Sequence, residues 1–370
     1  MPENKELKEI REKIDKLDSQ LLSLLNDRLI LAKQAGEKKK DKVVYRPERE
    51  ASIYKNLKLI NDGPLEDHHI VNIFNEVISS CRSVEEEMEI AFLGPEGTYS
   101  DSALKAKFGT SINKNPTDTI EDVFKRVKLQ ESHYGIVPIE NSTEGTINNT
   151  FDCLASYEVR ICGEMEMKIH HNLLGLNQAL PSEGFEIHAH EQTLSQCRKW
   201  LDSHCPEAKR IAVSSNALAA KKSSGEPKIL AIAGKLAAEK YGLDIIQNNI
   251  EDYPDNTTRF VTLGLHEVGT TGNDKTSLMV TTKNEPGALY KVLKPIKENN
   301  LNLTHLTYRP SKLDKWNYSF FLDFEGHEKD QNVKLLLEEL SNSSVEIKIL
   351  GSYPQAEGCC LLYTSDAADE

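Results

Sequence analysis

Gly135-Ile136-Val137-Pro138-Ile139-Glu140-Asn141-Ser142-Thr143-Glu144-Gly145-Thr146-Ile147-Asn148-Asn149-Thr150 changes character halfway along. The apolar run Ile136 to Ile139 suits a buried strand. Glu140 to Glu144 then sets amide, hydroxyl and carboxylate groups side by side, and Gly145 lets the backbone approach a ligand closely. From Ile147 to Leu154 the apolar pattern restarts as a helix would. A polar, Gly-containing loop at the carboxyl end of a strand is where open α/β folds bind small ligands; on pattern alone an ordinary strand-to-helix turn fits equally well.

The same format occurs twice more. The run Ile90 to Leu93 breaks at Gly94-Pro95-Glu96-Gly97-Thr98-Tyr99-Ser100. No Gly-Lys-Ser/Thr follows and the G-x-G-x-x-G spacing is absent, so neither a P-loop nor a dinucleotide fingerprint is present. Asp255-Asn256-Thr257-Thr258-Arg259-Phe260 precedes the alternation Val261, Leu263, Leu265. Three such loops, one with an Arg, suit an anionic, oxygen-rich small molecule better than a nucleotide.

Gly94-Pro95-x-Gly97-Thr98-Tyr99-Ser100, Glu140-Asn141-Ser142-x-x-Gly145-Thr146 and Thr258-Arg259-Phe260, in that order, resemble prephenate dehydratase. The flanking regions extend the resemblance to the bifunctional chorismate mutase–prephenate dehydratase family, over about residues 5 to 355. It implies a multidomain chain: an all-α mutase domain (1–88), a two-lobed α/β dehydratase domain (89–268) and a ferredoxin-like βαββαβ ACT domain (275–355).

The bulk numbers agree with that plan. A chain of 370 residues with 38% apolar content holds two or three folded domains. The net charge of −13 argues against general nucleic-acid binding. Residues 1–50 carry 13 Lys/Arg and 11 Asp/Glu, so the start of the chain is its basic part. No run of about 18 apolar residues suggests a membrane span, and Met1 to Glu12 lacks the apolar core of a secretory signal. Seven cysteines without metal-ligand spacing read as reduced thiols of a cytoplasmic protein. No metal or cofactor is expected.

In residues 5–38 the apolar positions Ile10, Ile14, Leu17, Leu21, Leu24, Leu25 and Ala32 recur mostly every three or four residues, as on an amphipathic helix. Such a helix is about 50 Å long and wants a partner of similar length. Tyr45-Arg46-Pro47-Glu48-Arg49-Glu50 opens a second helix, with Pro47 near its first turn; Ile70 to Ile78 reads as a third. Gly269 to Asp274 is a linker. Beyond it the pattern is strand, helix, strand, strand, helix, strand. Glu357–Glu370 fits nothing and is expected to be a non-native, disordered tail.

A [3,3] rearrangement needs no nucleophile. It needs two carboxylates clamped and donors at the ether oxygen, which gains charge as the C–O bond breaks. Arg28 and Lys39 are 11 residues apart and share a helix face. Arg11 lies about 25 Å before Arg28, too far to reach the same ligand, so it is expected to serve the site of a partner subunit in an intertwined homodimer. The resemblance places mutase contacts at Arg11, Arg28, Lys39, Arg46, Glu50, Cys81 and Glu85. Cys81 falls where some relatives have Ser, Glu85 where some have Gln, and Arg46 where some have Asp. A Glu standing for that Gln donates only when protonated.

For loss of carbon dioxide and hydroxide from prephenate, Arg259 suits the carboxylates. The resemblance marks Thr258 as essential, either as a hydrogen-bond donor or as a relay. Phe260 packs either the substrate ring or the core. Asn141, Ser142 and Thr146 are expected on the opposite wall of the cleft. In the βαββαβ module, Asn284-x-Pro286-Gly287-Ala288-Leu289 resembles the ACT turn that binds phenylalanine at a subunit interface; Asn284, Gly287, Ala288 and Leu289 are the effector contacts so implied. Thr307-Tyr308-Arg309-Pro310 stands where relatives carry Glu-Ser-Arg-Pro, so a weaker or altered phenylalanine response is expected.

Overall fold

The computed structural model describes residues 5–39, 43–181, 184–310, 317–343, 346–356 and 359–360. Three helices come first. Lys5–Lys38 is a single rod of 34 residues in which no side chain is buried. Its apolar stripe is bare within one chain: Ile10, Ile14, Leu17, Leu21 and Leu24 are all at least half exposed. Pro47–Ile60 begins with Pro at its first turn, where the missing N–H costs no helical bond. Asp67–Glu85 buries Ile70, Asn75, Ile78, Ser79, Cys81 and Arg82.

The α/β region, residues 89–268, has two lobes, each with its own sheet. The first sheet runs Arg160–Lys168, Thr257–Gly264, Tyr134–Asn141, Glu89–Leu93, Asn113–Thr117 in spatial order. Glu89–Leu93 is parallel to both of its neighbours, and Thr257–Gly264 is antiparallel to both of its own. Its two faces carry separate cores. One contains Val123, Phe124, Val137, Phe151, Val261 and Leu263; the other contains Ile90, Phe92, Leu104, Ile136, Met165 and Phe260. The second lobe's sheet is built from Asp244–Gln247, Asn172–Gly175, Ile229–Ala233, Glu186–Ala189 and Lys209–Ala212.

Two short linkers join the lobes side by side. The Ile169 N–H donates to the Asn256 carbonyl at 2.8 Å, and the Ile250 N–H to the His171 carbonyl at 2.8 Å. Glu251 clamps both strings, with Oε1 at 2.8 Å from His170 Nδ1 and Oε2 accepting the His171 N–H at 2.9 Å.

The last module pairs its four strands in the order Leu303–Pro310, Tyr318–Glu325, Asp274–Thr282, Glu346–Pro354. The helices Ala288–Glu298 and Gln331–Asn342 contribute to a core of Leu278, Val292, Ile296, Phe324 and Leu336. This is the expected ferredoxin-like arrangement. Phe321, Leu350 and Tyr353 instead join the core of the first α/β lobe, so the module shares a core with its neighbour.

Three boundaries differ from the sequence reading. The strand through Ile139 continues to Asn141, because Glu140 and Asn141 pair with Arg259 and Thr258. The supposed linker ends early: Asp274 already starts a strand, and its carboxylate accepts from Thr271 N, Thr271 Oγ1 and Gly272 N. In the tail, Cys359–Cys360 is a short strand parallel to Glu166 and Met167, extending an edge that would leave backbone groups unpaired. The remainder of the expected disordered tail, 357–358 and 361–370, lies outside the described residues.

Candidate active sites

The helical site is assembled from the first and third helices. Arg28 Nη1 donates to Cys81 Sγ at 2.8 Å, and Lys39 Nζ to Glu85 Oε2 at 2.7 Å. Cys81 and Glu85 are one turn apart, about 6 Å, so the two cations lean together although about 16 Å separates them along their own segment. Gly36 makes room: a Cβ there would sit 2.9 Å from Glu85 Oε2. Arg11 is exposed on the long helix. Arg46 is part-exposed, 3.6 Å from Glu48.

Glu50 belongs to a different constellation. It is buried with Arg82, whose Nη1 donates to it at 2.8 Å. Arg82 also donates to the Phe108 carbonyl at 2.8 Å and lies over the rings of Tyr45 and Phe108. Burial pushes the Glu50 carboxyl above its ordinary range, with the Arg82 guanidinium pulling the other way. The expected substrate contact is thus engaged in an ion pair that ties the second and third helices to the first α/β lobe.

The α/β site lies where the lobes meet, and Thr258 and Asn141 stand on one wall of it. They are cross-strand partners on antiparallel strands, so the expectation of opposite walls is corrected. Asn141 Nδ2 donates to Thr258 Oγ1 at 2.8 Å and to Asn256 Oδ1 at 2.8 Å. Asn141 Oδ1 accepts the N–H groups of Thr143 and Glu144, at 3.0 and 3.1 Å. Asn256 Nδ2 donates to Gln196 Oε1, which also meets His171 Nε2 at 2.8 Å. His171 Nδ1 lies 2.7 Å from the Tyr99 hydroxyl.

The direction of each bond from Asn141 to His171 Nε2 follows from the first link. Backbone N–H groups only donate, so Thr143 and Glu144 fix which end of the Asn141 amide is oxygen. Its nitrogen must then donate to Thr258 and Asn256, Asn256 must donate to Gln196, and His171 must carry its proton on Nε2. The far end agrees, since Gln196 Nε2 faces the Glu144 carboxylate at 3.5 Å. Burial lowers the His171 pKa, offset in part by the bond to Gln196. The Thr258 oxygen is occupied as an acceptor, and among the described residues its own hydrogen has no recorded acceptor. It is left for a ligand.

Other expected residues fall elsewhere. Ser142 Oγ accepts the Thr257 N–H at 2.9 Å and shapes the loop. Thr146 is half-buried opposite Glu140 on the returning strand. Gly145 has φ 80°, a backbone conformation that favours glycine, and a Cβ there would meet no protein atom within 4 Å. Phe260 is 1% exposed in the core beside Tyr45 and Met165, which selects the core reading over ring packing.

Arg259 departs most from expectation. Strand alternation sends it to the opposite face from Thr258. There Nε donates to Glu164 at 2.7 Å, Nη1 to Asp323 at 2.6 Å and Nη2 to the Tyr353 hydroxyl at 3.1 Å. A guanidinium committed to three buried partners is not available to a substrate carboxylate in the cleft.

In the last module, Gly287 sits at φ 80° before the helix Ala288–Glu298, and Asn284 and Gly287 are exposed with Ala288 and Leu289 half-buried. Arg309 forms a two-pronged pair with Asp152, at 2.9 and 3.0 Å.

Asn256, Gln196, His171 and Tyr99 were not foreseen as site members. Asn256 and Tyr99 lie inside quoted motifs, two residues from Thr258 and next to Thr98. Gln196 and His171 carry no local signal, because only the closure of one lobe on the other brings them in.

A helical segment joined to a two-lobed α/β domain with a polar interlobe site, and to a ferredoxin-like module, defines a multidomain enzyme class. Family models match in the same order: Chorismate mutase type II over residues 10–86, Prephenate dehydratase over 90–268 and ACT domain over 276–342. The bifunctional chorismate mutase/prephenate dehydratase of Pseudomonas aeruginosa is 43% identical over 96% of this chain and 100% of its own length. That of Neisseria gonorrhoeae is 43% identical over 94% of this chain and 96% of its own. A prephenate dehydratase from Arthrobacter aurescens, solved in complex with L-Phe, superposes with a TM-score of 0.67 at 32% identity, covering 73% of this chain and 90% of that one. The chain belongs to the bifunctional chorismate mutase/prephenate dehydratase family.

Proposed function

We propose that the chain rearranges chorismate to prephenate and converts prephenate to phenylpyruvate, with phenylalanine acting back through the ACT module. The observation that carries the second reaction is the Thr258 hydroxyl, which accepts from Asn141 and whose own proton meets no acceptor among the described residues. Aromatisation drives loss of carbon dioxide and hydroxide, so the protein's task is to stabilise charge on the departing oxygen. A hydroxyl is too weak an acid to hand over a full proton early, but a hydrogen bond already oriented serves without reorganisation. Gln196 and Glu144 come from different lobes, so their contact must part for substrate to enter.

For the first reaction, Arg28 and Lys39 supply the cations. Their present partners Cys81 and Glu85 hold them close to one point, where a dicarboxylate would displace the Lys39–Glu85 contact. The bare apolar stripe of the long helix supports a second copy packed along it, which would bring a partner's Arg11 to this site.

The test is a single variant. Purified Thr258→Val protein given chorismate should accumulate prephenate and form phenylpyruvate at least about a hundredfold more slowly than wild type, the scale of losing one oriented donor. Continued phenylpyruvate formation, or simultaneous loss of chorismate consumption in a folded variant, would overturn the assignment.

A further inference from the structure

Two neighbouring rungs of one strand pair face two different domains. Thr258 and Asn141 are paired across the strands and turn to the interlobe site; Arg259 and Glu140 are the next pair and turn to the ACT module. Arg259 holds Asp323 and Tyr353, residues of two ACT strands, and Glu140 Oε2 lies 3.3 Å from His305 Nδ1 on a third. Ser277, on the fourth ACT strand, donates to Asp323 at 2.6 Å and contacts the Tyr353 hydroxyl at 2.6 Å. Lys275 closes the cluster from below, with Nζ 2.8 and 3.0 Å from the two oxygens of Glu164.

We propose that Arg259 is a positioning residue, not a substrate ligand: it hangs the catalytic strand on the ACT module, which thereby sets the geometry of the Thr258–Asn141 rung. Arg259, Glu164, Ser277, Asp323 and Tyr353 are buried, with Lys275, Glu140 and His305 part-buried at the edge of the cluster. Releasing Asp323 from Arg259 would leave an uncompensated buried charge, so the guanidinium does not leave its partners for a ligand. The strand that carries Ser277 ends at Thr282, two residues before Asn284, so the turn expected to bind the effector follows directly on the strand that holds the Arg259 cluster. A shift of that strand reaches Arg259 directly, and Thr258 is the adjacent residue. The inference rests on the dehydratase reading above for its readout.

The experiment uses the full chain with Tyr353→Phe and, separately, Arg259→Lys. Dehydratase kcat and KM for prephenate are measured with and without phenylalanine. Chorismate consumption in the same preparations reports folding and concentration, because that site is on another domain. Tyr353→Phe removes one hydroxyl and should lower kcat about two- to tenfold, with KM for prephenate unchanged within about twofold. Arg259→Lys keeps the charge but loses the three-way fork, and should lower kcat further, again without a matching rise in KM. Both should move the phenylalanine midpoint in the same direction. A KM raised about tenfold or more by Arg259→Lys, with Tyr353→Phe silent, would make Arg259 a substrate ligand and overturn the proposal. Wild-type kcat and phenylalanine response in both variants would overturn it too. If Arg259→Lys fails to fold, Tyr353→Phe decides alone. A wild type that forms no phenylpyruvate would defeat the functional reading instead, a separate outcome.

Discussion

Asn141 shows how much one side chain can decide. Its oxygen is held by two backbone N–H groups and its nitrogen by Thr258 and Asn256, so it sets which way a whole chain of hydrogen bonds runs. Asn141→Asp keeps the shape and reverses the last bond: the second carboxylate oxygen can only accept, and Thr258 must turn its proton away from the site. Dehydratase kcat should fall about a hundredfold or more at neutral pH and recover partly as acid protonates the introduced carboxylate, since a carboxyl group can donate again. A flat pH profile in the variant would mean that Asn141 only shapes the loop. Glu85 poses a similar question at the helical site. Bound to Lys39, its ionised form withholds a cation and offers no donor to a developing negative charge. Glu85→Gln should raise mutase kcat/KM relative to wild type; an unchanged value would assign Glu85 a merely structural bond.

The long first helix makes its own prediction. Leu17 is 63% exposed and Leu24 65%, on a helix with no buried side chain. A stripe of that length is unstable in water without cover. If a second copy supplies the cover, Arg11 and Lys39 of one site come from different subunits. Mixing Arg11→Ala protein with Lys39→Ala protein, each inactive as a mutase, should restore part of the activity after subunit exchange. No restoration with exchange verified by mass would argue that each chain builds its site alone.

Between domains, the buried cluster of Arg259, Asp323, Glu164 and Tyr353 makes docking sensitive to acid. Burial by itself would raise the Asp323 carboxyl, but Arg259 and the Ser277 bond more than offset it, and the group titrates below its usual range. A carboxyl with a depressed folded pKa stabilises the fold above its unfolded value, about 4, and that stability is lost as pH falls through the folded value. Thermal unfolding followed from pH 7 to pH 3 should show Tm dropping less steeply below about pH 4 in Asp323→Asn than in wild type, from a lower starting Tm. Parallel profiles would remove Asp323 from the acid limb. The shared core also determines what truncation would do. Phe321, Leu350 and Tyr353 belong to the dehydratase core, so removing residues 275–370 strips apolar cover from that lobe rather than releasing an independent enzyme.

The motifs Gly94 to Ser100, Glu140 to Thr146 and Thr258 to Phe260 were enough, on the sequence alone, to name the chemistry, because turn residues and polar clusters are local signals read in place. Helical spacing placed Arg28 and Lys39 on one face for the same reason. The roles of individual residues were another matter. Thr258 and Arg259 are adjacent in the chain, yet strand alternation sends one to the interlobe site and the other into the ACT module. Glu50 reads as a substrate contact until Arg82, 32 residues later, is folded against it. Gln196 and His171 reach the site only through the closure of two lobes. What a side chain does depends on which face of its element is covered and by what, and that is a property of the packed molecule.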